Sequence, residues 1–568
     1  MNLNLKAKEQ NTYDAIVIGS GISGGWAAKE LTEKGLRTLV LERGRMVEHI
    51  KDYTTATKAP WEFPHRGKLP LKQMEDYPKL QRTGFATSEE VIHFFVKDNE
   101  HPYLEDKRFD WVRGWQVGGK SLTWGRVALR WSDLDFEANA KEGIAIDWPI
   151  RYKDIAPWYD YVEKFAGISG NRDGIPHLPD GLFQPPMDLT CVDEHLRDSI
   201  KKKYPDRYLI HARQAHITKP TQEQLDLGRV GCQARNMCWR GCPYGGYFSS
   251  QAATLPAAKR TGNLTIRPHS IVSSIIYDEK LGKASGVQIV DENTKETMEF
   301  YAKVIFVNAS AMGSTYILMN SKSHRFPNGL GNDSGELGHN LMDHHFNAGA
   351  GGTYEGFRDK YEYGRRPNGF YVARYRNIGK DKRDYLRGFG YEGGSGRGWG
   401  GNKEGFGASL KENYTQLGPW NAGLGGFAET LPSHDNKVIL TDEQKDPWGL
   451  PVLKFSADFG ENEKKMRVDM INDAAEMLEL AGFKDIYTYD NIGGMGLSIH
   501  EMGTARMGHD AKTSVLNKHN QVWGCENVYV TDGACMTSSS CVNPSLTYMA
   551  LTARAADHAV NELKKQNL

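Results

Sequence analysis

Two groups of residues in this chain have the types and spacing to do chemistry. The first is Gly19-Ser20-Gly21-Ile22-Ser23-Gly24, a GxGxxG run, with Glu42 about twenty residues further on. Gly19 permits a tight turn, Gly21 lets backbone approach a pyrophosphate, and Gly24 lets a helix pack closely on a strand. The free N–H groups at the start of that helix suit phosphates, and Glu42 suits the hydroxyls of a ribose. Together they predict a dinucleotide site. The second group is Cys232, Cys238 and Cys242, spaced C-x5-C-x3-C within the glycine-containing loop 231–243 and followed by Pro243. Three thiolates converging in one turn-rich loop suit a three-iron, four-sulfur cluster. Zinc would need a fourth ligand, for which His211 and His216 are candidates. Buried thiols of no special role are the third reading.

The elements that must position the dinucleotide site are legible around it. Residues 14–18 form a short apolar run bounded by glycine, which predicts a buried parallel strand breaking directly into the GxGxxG turn. Residues 22–34 predict a helix closed by Gly35, and residues 38–41 a second buried strand that delivers Glu42. Residues 264–307 alternate apolar and polar positions around a turn at Leu281-Gly282-Lys283, which predicts strands returning to the nucleotide domain. Residues 46–102 are polar, contain proline and lack periodicity, and read as a surface excursion or lid. Residues 349–426, including GYEGGSGRGWGG, mix glycine with many aromatics, which argues for ordered strands and loops of a substrate domain rather than a linker. A strand pattern resumes at 437–440. Residues 462–481 have helical spacing, with Met466, Met470 and Met477 expected in the core.

Composition excludes several classes. In 568 residues, 71 Lys plus Arg balance 71 Asp plus Glu, and no basic stripe marks a nucleic-acid partner. No apolar run approaches the ~18 residues of a membrane helix. Residues 1–11 are polar with no apolar core, so no signal peptide is expected. Seven cysteines are too few for a disulfide scaffold, and Cys191, Cys525, Cys535 and Cys541 read as core thiols.

Seven ordered motifs carry a resemblance over most of the chain. Beyond the GxGxxG and its Glu42-Arg43-Gly44 come VGGKSLTWG (117–125), DWPI (147–150) before an aromatic helix ending WYDYVEKF, and VIFVNASAMGSTYILMNS (304–321). LGHNLMDH (337–344), HEMGTARMG (500–508) and the C-terminal 527–558 complete the set. The chain resembles the glucose-methanol-choline (GMC) oxidoreductases. Lys120-Ser121 and Asn308-Ala309-Ser310 depart from that family's usual small residues. The resemblance implies an α/β fold in which a Rossmann-like FAD-binding domain (1–50, 103–135, 255–345 and 500–568) interleaves with a β-sheet substrate domain (136–254 and 346–499), with 51–102 as a lid. It implies FAD contacts from Gly19, Gly21, Ser23, Gly24, Glu42, Arg43, Gly118, Gly119, Ser121, Thr123, Trp124, Asp532, Gly533, Pro544, Ser545 and Leu546. Of 18 histidines it selects His500 as the base, with Asn543 donating to the developing alkoxide. His344 and His345 stand as contacts behind the base or to substrate, and equally as surface or capping residues.

The cysteine spacing further resembles the catalytic subunits of bacterial FAD sugar dehydrogenases. That implies a sugar or glucoside substrate, oxidised for instance at carbon 3, and an iron-sulfur relay to a cytochrome c-type acceptor. It also implies a small accessory subunit whose export carries the chain to the periplasm. An oxidase using oxygen, a gluconate-type 2-dehydrogenase and a non-redox FAD lyase are the alternatives.

Overall fold

The computed structural model describes residues 10–362, 369–399 and 405–568, and every count of elements refers to them. One sheet has eight strands. Its first strand, Thr12–Ile18, buries its last four residues completely and pairs in parallel with Thr38–Leu41 on one side and Thr297–Val307 on the other. Leu264–Arg267 and Cys525–Val530 extend the parallel core, while Ser270–Asp278, Lys283–Asp291 and Gln521–Val522 add antiparallel strands. Strands covered on both faces have no solvent side to make polar, which is why 15–18 and 39–41 are continuous apolar runs. The helix Ile22–Glu33 follows the first strand and packs against the last helix, Ser545–Lys564.

The second sheet has six antiparallel strands, in the order Lys484–Asp490, His345–Tyr354, Leu417–Ala428, Phe389–Trp399, Phe370–Val372 and Leu209–His211. The glycine-rich segment is therefore ordered sheet, apart from 363–368 and 400–404, which lie outside the described residues. One face is backed by the helix Glu461–Leu480, whose Met466, Met470 and Met477 are fully buried against Leu424 and Trp420. The opposite face turns toward the site. A smaller sheet of Lys437–Lys445, Pro451–Ser456 and Leu104–Glu105 completes the framework.

The aperiodic stretch after residue 46 is a chain of turns and short helices with a core of its own, including Tyr53, Leu80, Ile92 and Phe94. Short turns leave no repeat for a sequence pattern to show. Arg240 from the cysteine loop fastens to it through Glu90 at 2.5 Å. Among the described residues no helix is long and apolar enough to cross a membrane.

Candidate active site

Both large sheets contribute walls to a cavity of about 590 Å³. Its floor is the turn after the first strand. Gly19 has φ +92, and a Cβ there would stand 2.3 Å from the Asn308 carbonyl oxygen; at Gly24 it would stand 2.1 Å from the Gly19 oxygen. At Gly21 no atom lies within 4 Å of the Cβ position, and the residue opens onto the cavity.

Three helices start here: Ile22–Glu33 after Gly21, Ala311–Asn320 after Ser310, and Ser545–Lys564 after Pro544. None has a side-chain cap or an acidic residue in its first turn. Their free N–H groups give the cavity a positive field suited to phosphates and to a ring that takes up negative charge. Asn308 Oδ1, Tyr316 OH, Glu501 Oε1 and Tyr548 OH, all on lining residues, are buried without a hydrogen-bond partner. Open backbone, uncapped helix starts and unpartnered polar atoms together fit FAD.

Of the residues predicted for the cofactor, Gly19, Gly21, Ser23, Glu42, Arg43, Gly119, Ser121, Thr123, Trp124, Asp532, Gly533 and Ser545 line this cavity, as do His500 and Asn543. Gly24, Gly118, Pro544 and Leu546 stand behind it: Gly118 N donates to Ser20 Oγ at 2.9 Å, and Leu546 is core. Glu42 accepts from Ser20 N at 3.1 Å, Ser20 Oγ at 2.5 Å and Gly44 N at 3.1 Å, and burial raises its carboxyl above the usual range. The Arg43 guanidinium lies 4.0 Å from the Trp115 ring centre and pairs with Asp446 at 3.5 Å. Burial pushes Asp532 up to about 6 while it accepts from Ser314 Oγ at 2.5 Å and Ala534 N at 3.0 Å.

The hydrogen bonds around His500 fix where its proton sits. His344 Nε2 bonds the Ser540 carbonyl oxygen, which can only accept, so that nitrogen carries a hydrogen. Burial lowers His344 to about 4, keeping the ring neutral and its Nδ1 an acceptor. His344 Nδ1 lies 2.8 Å from His500 Nδ1, which must therefore donate. His500 Nε2 is left as the basic nitrogen. Burial, with the neighbouring His344 and Lys120, holds His500 well below the ordinary imidazole value, so it too is neutral.

The backbone at this point is strained, since Ile499 is a β-branched residue at φ +66. Asp343 holds it there, accepting from Gly496 N at 2.8 Å, Ser498 N at 3.1 Å, His500 N at 3.0 Å and Ser498 Oγ. Sequence reasoning passed over Asp343, because its partners lie more than 150 residues away. His345 is fully enclosed and bonds the Glu429 carbonyl oxygen at 3.1 Å, away from the base.

The cysteine loop differs from expectation. Cys232 Sγ accepts from Ala234 N at 3.4 Å, and Cys238 Sγ stands 3.6 Å from His216 Nε2. Burial pushes the Cys232 and Cys238 thiols up. Among the described residues no group of three or more His, Cys, Asp or Glu is arranged to hold a metal ion. The ligand set of Cys232, Cys238 and Cys242 expected from their spacing is thus not supported. His211 lies in a strand opposite Phe370. The loop instead gives the cavity Trp239, packed edge-on against Phe85 at 4.7 Å. All seven cysteines are free thiols, and Cys525, Cys535 and Cys541 are buried.

Comparison with known proteins agrees with this geometry. Family models described as GMC oxidoreductase match residues 13–346 and 432–552. The chain is 28% identical to 2-methyl-1,2-propanediol dehydrogenase of Mycolicibacterium austroafricanum, over 96% of this chain and 94% of the relative. It is 24% identical to the fructose dehydrogenase large subunit of Gluconobacter japonicus, over 98% and 100%. It is likewise 24% identical to paromamine 6'-oxidase of Streptomyces fradiae, over 98% and 92%. With both family models matched and the dinucleotide cradle in place, the chain belongs to the GMC oxidoreductase family and is an FAD-dependent enzyme acting on CH–OH groups.

Proposed function

We propose that this chain oxidises a hydroxyl-bearing carbon of a sugar or other polyol, with His500 taking the hydroxyl proton. Bound FAD supplies the hydride acceptor. The observation that carries the reading is the His344–His500 contact, which leaves Nε2 as the unprotonated nitrogen of a residue lining the cavity. Asn543 lines the same cavity, and its amide nitrogen has two N–H donors. It lies beside the Glu392 carboxylate, and an Asn543 N–H serves the substrate oxygen as it gains negative charge. The uncapped start of Ser545–Lys564 adds positive field beside it.

Relatives named for a propanediol, for fructose and for paromamine support a polyhydroxylated substrate. Carbon 3 of a glucoside is the specific position we propose. A relay through Cys232, Cys238 and Cys242 to a cytochrome c-type acceptor rests on the cysteine spacing alone, and iron content with low-temperature electron paramagnetic resonance tests it. An accessory subunit and a periplasmic location belong to the same proposal. The substrate test is anaerobic addition of methyl glucoside, glucose, gluconate and propane-1,2-diol to the flavin-loaded protein. Bleaching of the flavin by one or more of them is the expected result; bleaching by none of them contradicts the reading.

A further inference from the structure

The run GYEGGSGRGWGG contains one acidic residue, and the mechanism above uses it only as a partner of Asn543. Successive side chains of a strand point to opposite faces. In Phe389–Trp399, Tyr391 points into the core, fully buried, and donates its OH to the Met470 carbonyl oxygen at 2.8 Å. Glu392 therefore points the other way and lines the cavity. On one side it sits opposite Gly425 and on the other opposite Tyr371, whose hydroxyl covers Gly390, while Gly393 and Gly394 follow it on the strand. Phe346 and Phe427, stacked at 5.1 Å, form the neighbouring wall, and the His500 ring lies 6.1 Å from Phe427.

The Asn543 side chain lies beside the carboxylate and favours its charged form, while Glu392 Oε1 has no hydrogen-bond partner. Burial pushes the group up to about 7. A buried carboxylate oxygen left unpaired is costly unless a ligand donor completes it. The oxidised hydroxyl already has His500 and Asn543. Glu392 lines the cavity where Tyr371 does not, so a donor entering the cavity to meet it comes from a different group of the substrate, one close to the reacting carbon because Glu392 and Asn543 line the same space.

We infer that Glu392 is a specificity-determining residue, accepting a hydrogen bond from a second hydroxyl of the substrate adjacent to the one being oxidised, so that the site selects vicinal diols over simple alcohols. This rests on the proposed alcohol oxidation and adds the feature of the substrate that is recognised. Gly394, where no side chain comes within 4 Å of the Cβ position, leaves room for a hydroxylated carbon skeleton, and the aromatic wall suits its C–H face.

The test compares flavin-loaded wild type and Glu392→Gln, in which the shape is kept and the negative charge removed, using propane-1,2-diol and propan-1-ol. In wild type the diol should reduce the flavin with the higher kcat/KM. In the variant the ratio of the two kcat/KM values should fall by roughly tenfold or more, a ratio that cancels any loss common to both alcohols from disturbing Asn543. Flavin absorbance like that of wild type shows that the variant is folded and loaded. Equal reduction of wild type by both alcohols, or an unchanged preference in the variant, overturns the inference and leaves alcohol oxidation standing. If no alcohol reduces the flavin, alcohol oxidation itself fails. The inference is then read from diol binding, seen as a perturbation of the flavin spectrum, which must weaken in the variant; unchanged or undetectable binding overturns it.

Discussion

At the scale of the residue, His500 and His344 act as one unit: His344 accepts the Nδ1 hydrogen of His500 and so commits Nε2 to the substrate. His344→Asn should retain flavin but slow its reduction by substrate, because the imidazole is then free to present the wrong tautomer. The pH dependence separates this from simple loss of structure. With burial and His344 holding the His500 pKa down, wild-type reduction should not fall as pH drops through the ordinary imidazole value near 6.5. His344 is neutral in this range and the burial of His500 persists without it, so the variant's profile should stay flat through 6.5 while its rate falls, and a fall near 6.5 would mark an opened, misfolded site. A wild-type rate in the variant would contradict the tautomer assignment. The motif around His500 made it legible in the sequence. His344 was named there without a settled role, because 156 residues separate the two histidines and no local pattern encodes their contact.

At the scale of the element, the strand–turn–helix at the start of the chain depends on contacts that exclude a side chain. Gly24→Ala places a methyl group 2.1 Å from the Gly19 carbonyl oxygen, in backbone that cannot give way cheaply. We expect a loss of about 1–3 kcal/mol of stability, read from the urea midpoint, together with a lower flavin content. Unchanged values for both would show that the turn is looser than its geometry. This unit was readable because apolar runs and glycines lie side by side along the chain. The glycine-rich strands Phe389–Trp399 and Leu417–Ala428 were readable only as ordered, and the direction of Glu392 came with the register against Gly425. Residues 51–102 were readable only as a surface excursion or lid, since a core built from turns has no period. The cysteine spacing gave a strong signal that the folded loop does not bear out as a metal site, because spacing along a chain does not specify where the sulfurs point.

At the scale of the whole molecule, the cavity is where the two large sheets meet, and its lining comes from segments as distant as Ile18 and Tyr548. A ligand held there ties the sheets together. Adding FAD to apoprotein at about a thousand times its Kd should stabilise the fold by about 4 kcal/mol, seen as a rise in thermal midpoint with a single transition. Two separate transitions would mean that the sheets do not unfold as one body.

The measurement that bears most directly on the account is anaerobic rapid mixing of propane-1,2-diol or methyl glucoside with flavin-loaded wild type and His500→Ala, following loss of the oxidised flavin band. Wild type should be reduced by at least one of the two. The variant should keep its flavin and be reduced roughly 10²–10⁴-fold more slowly. A variant reduced at the wild-type rate would contradict His500 as the base, and with it the proton path on which the proposed reaction depends.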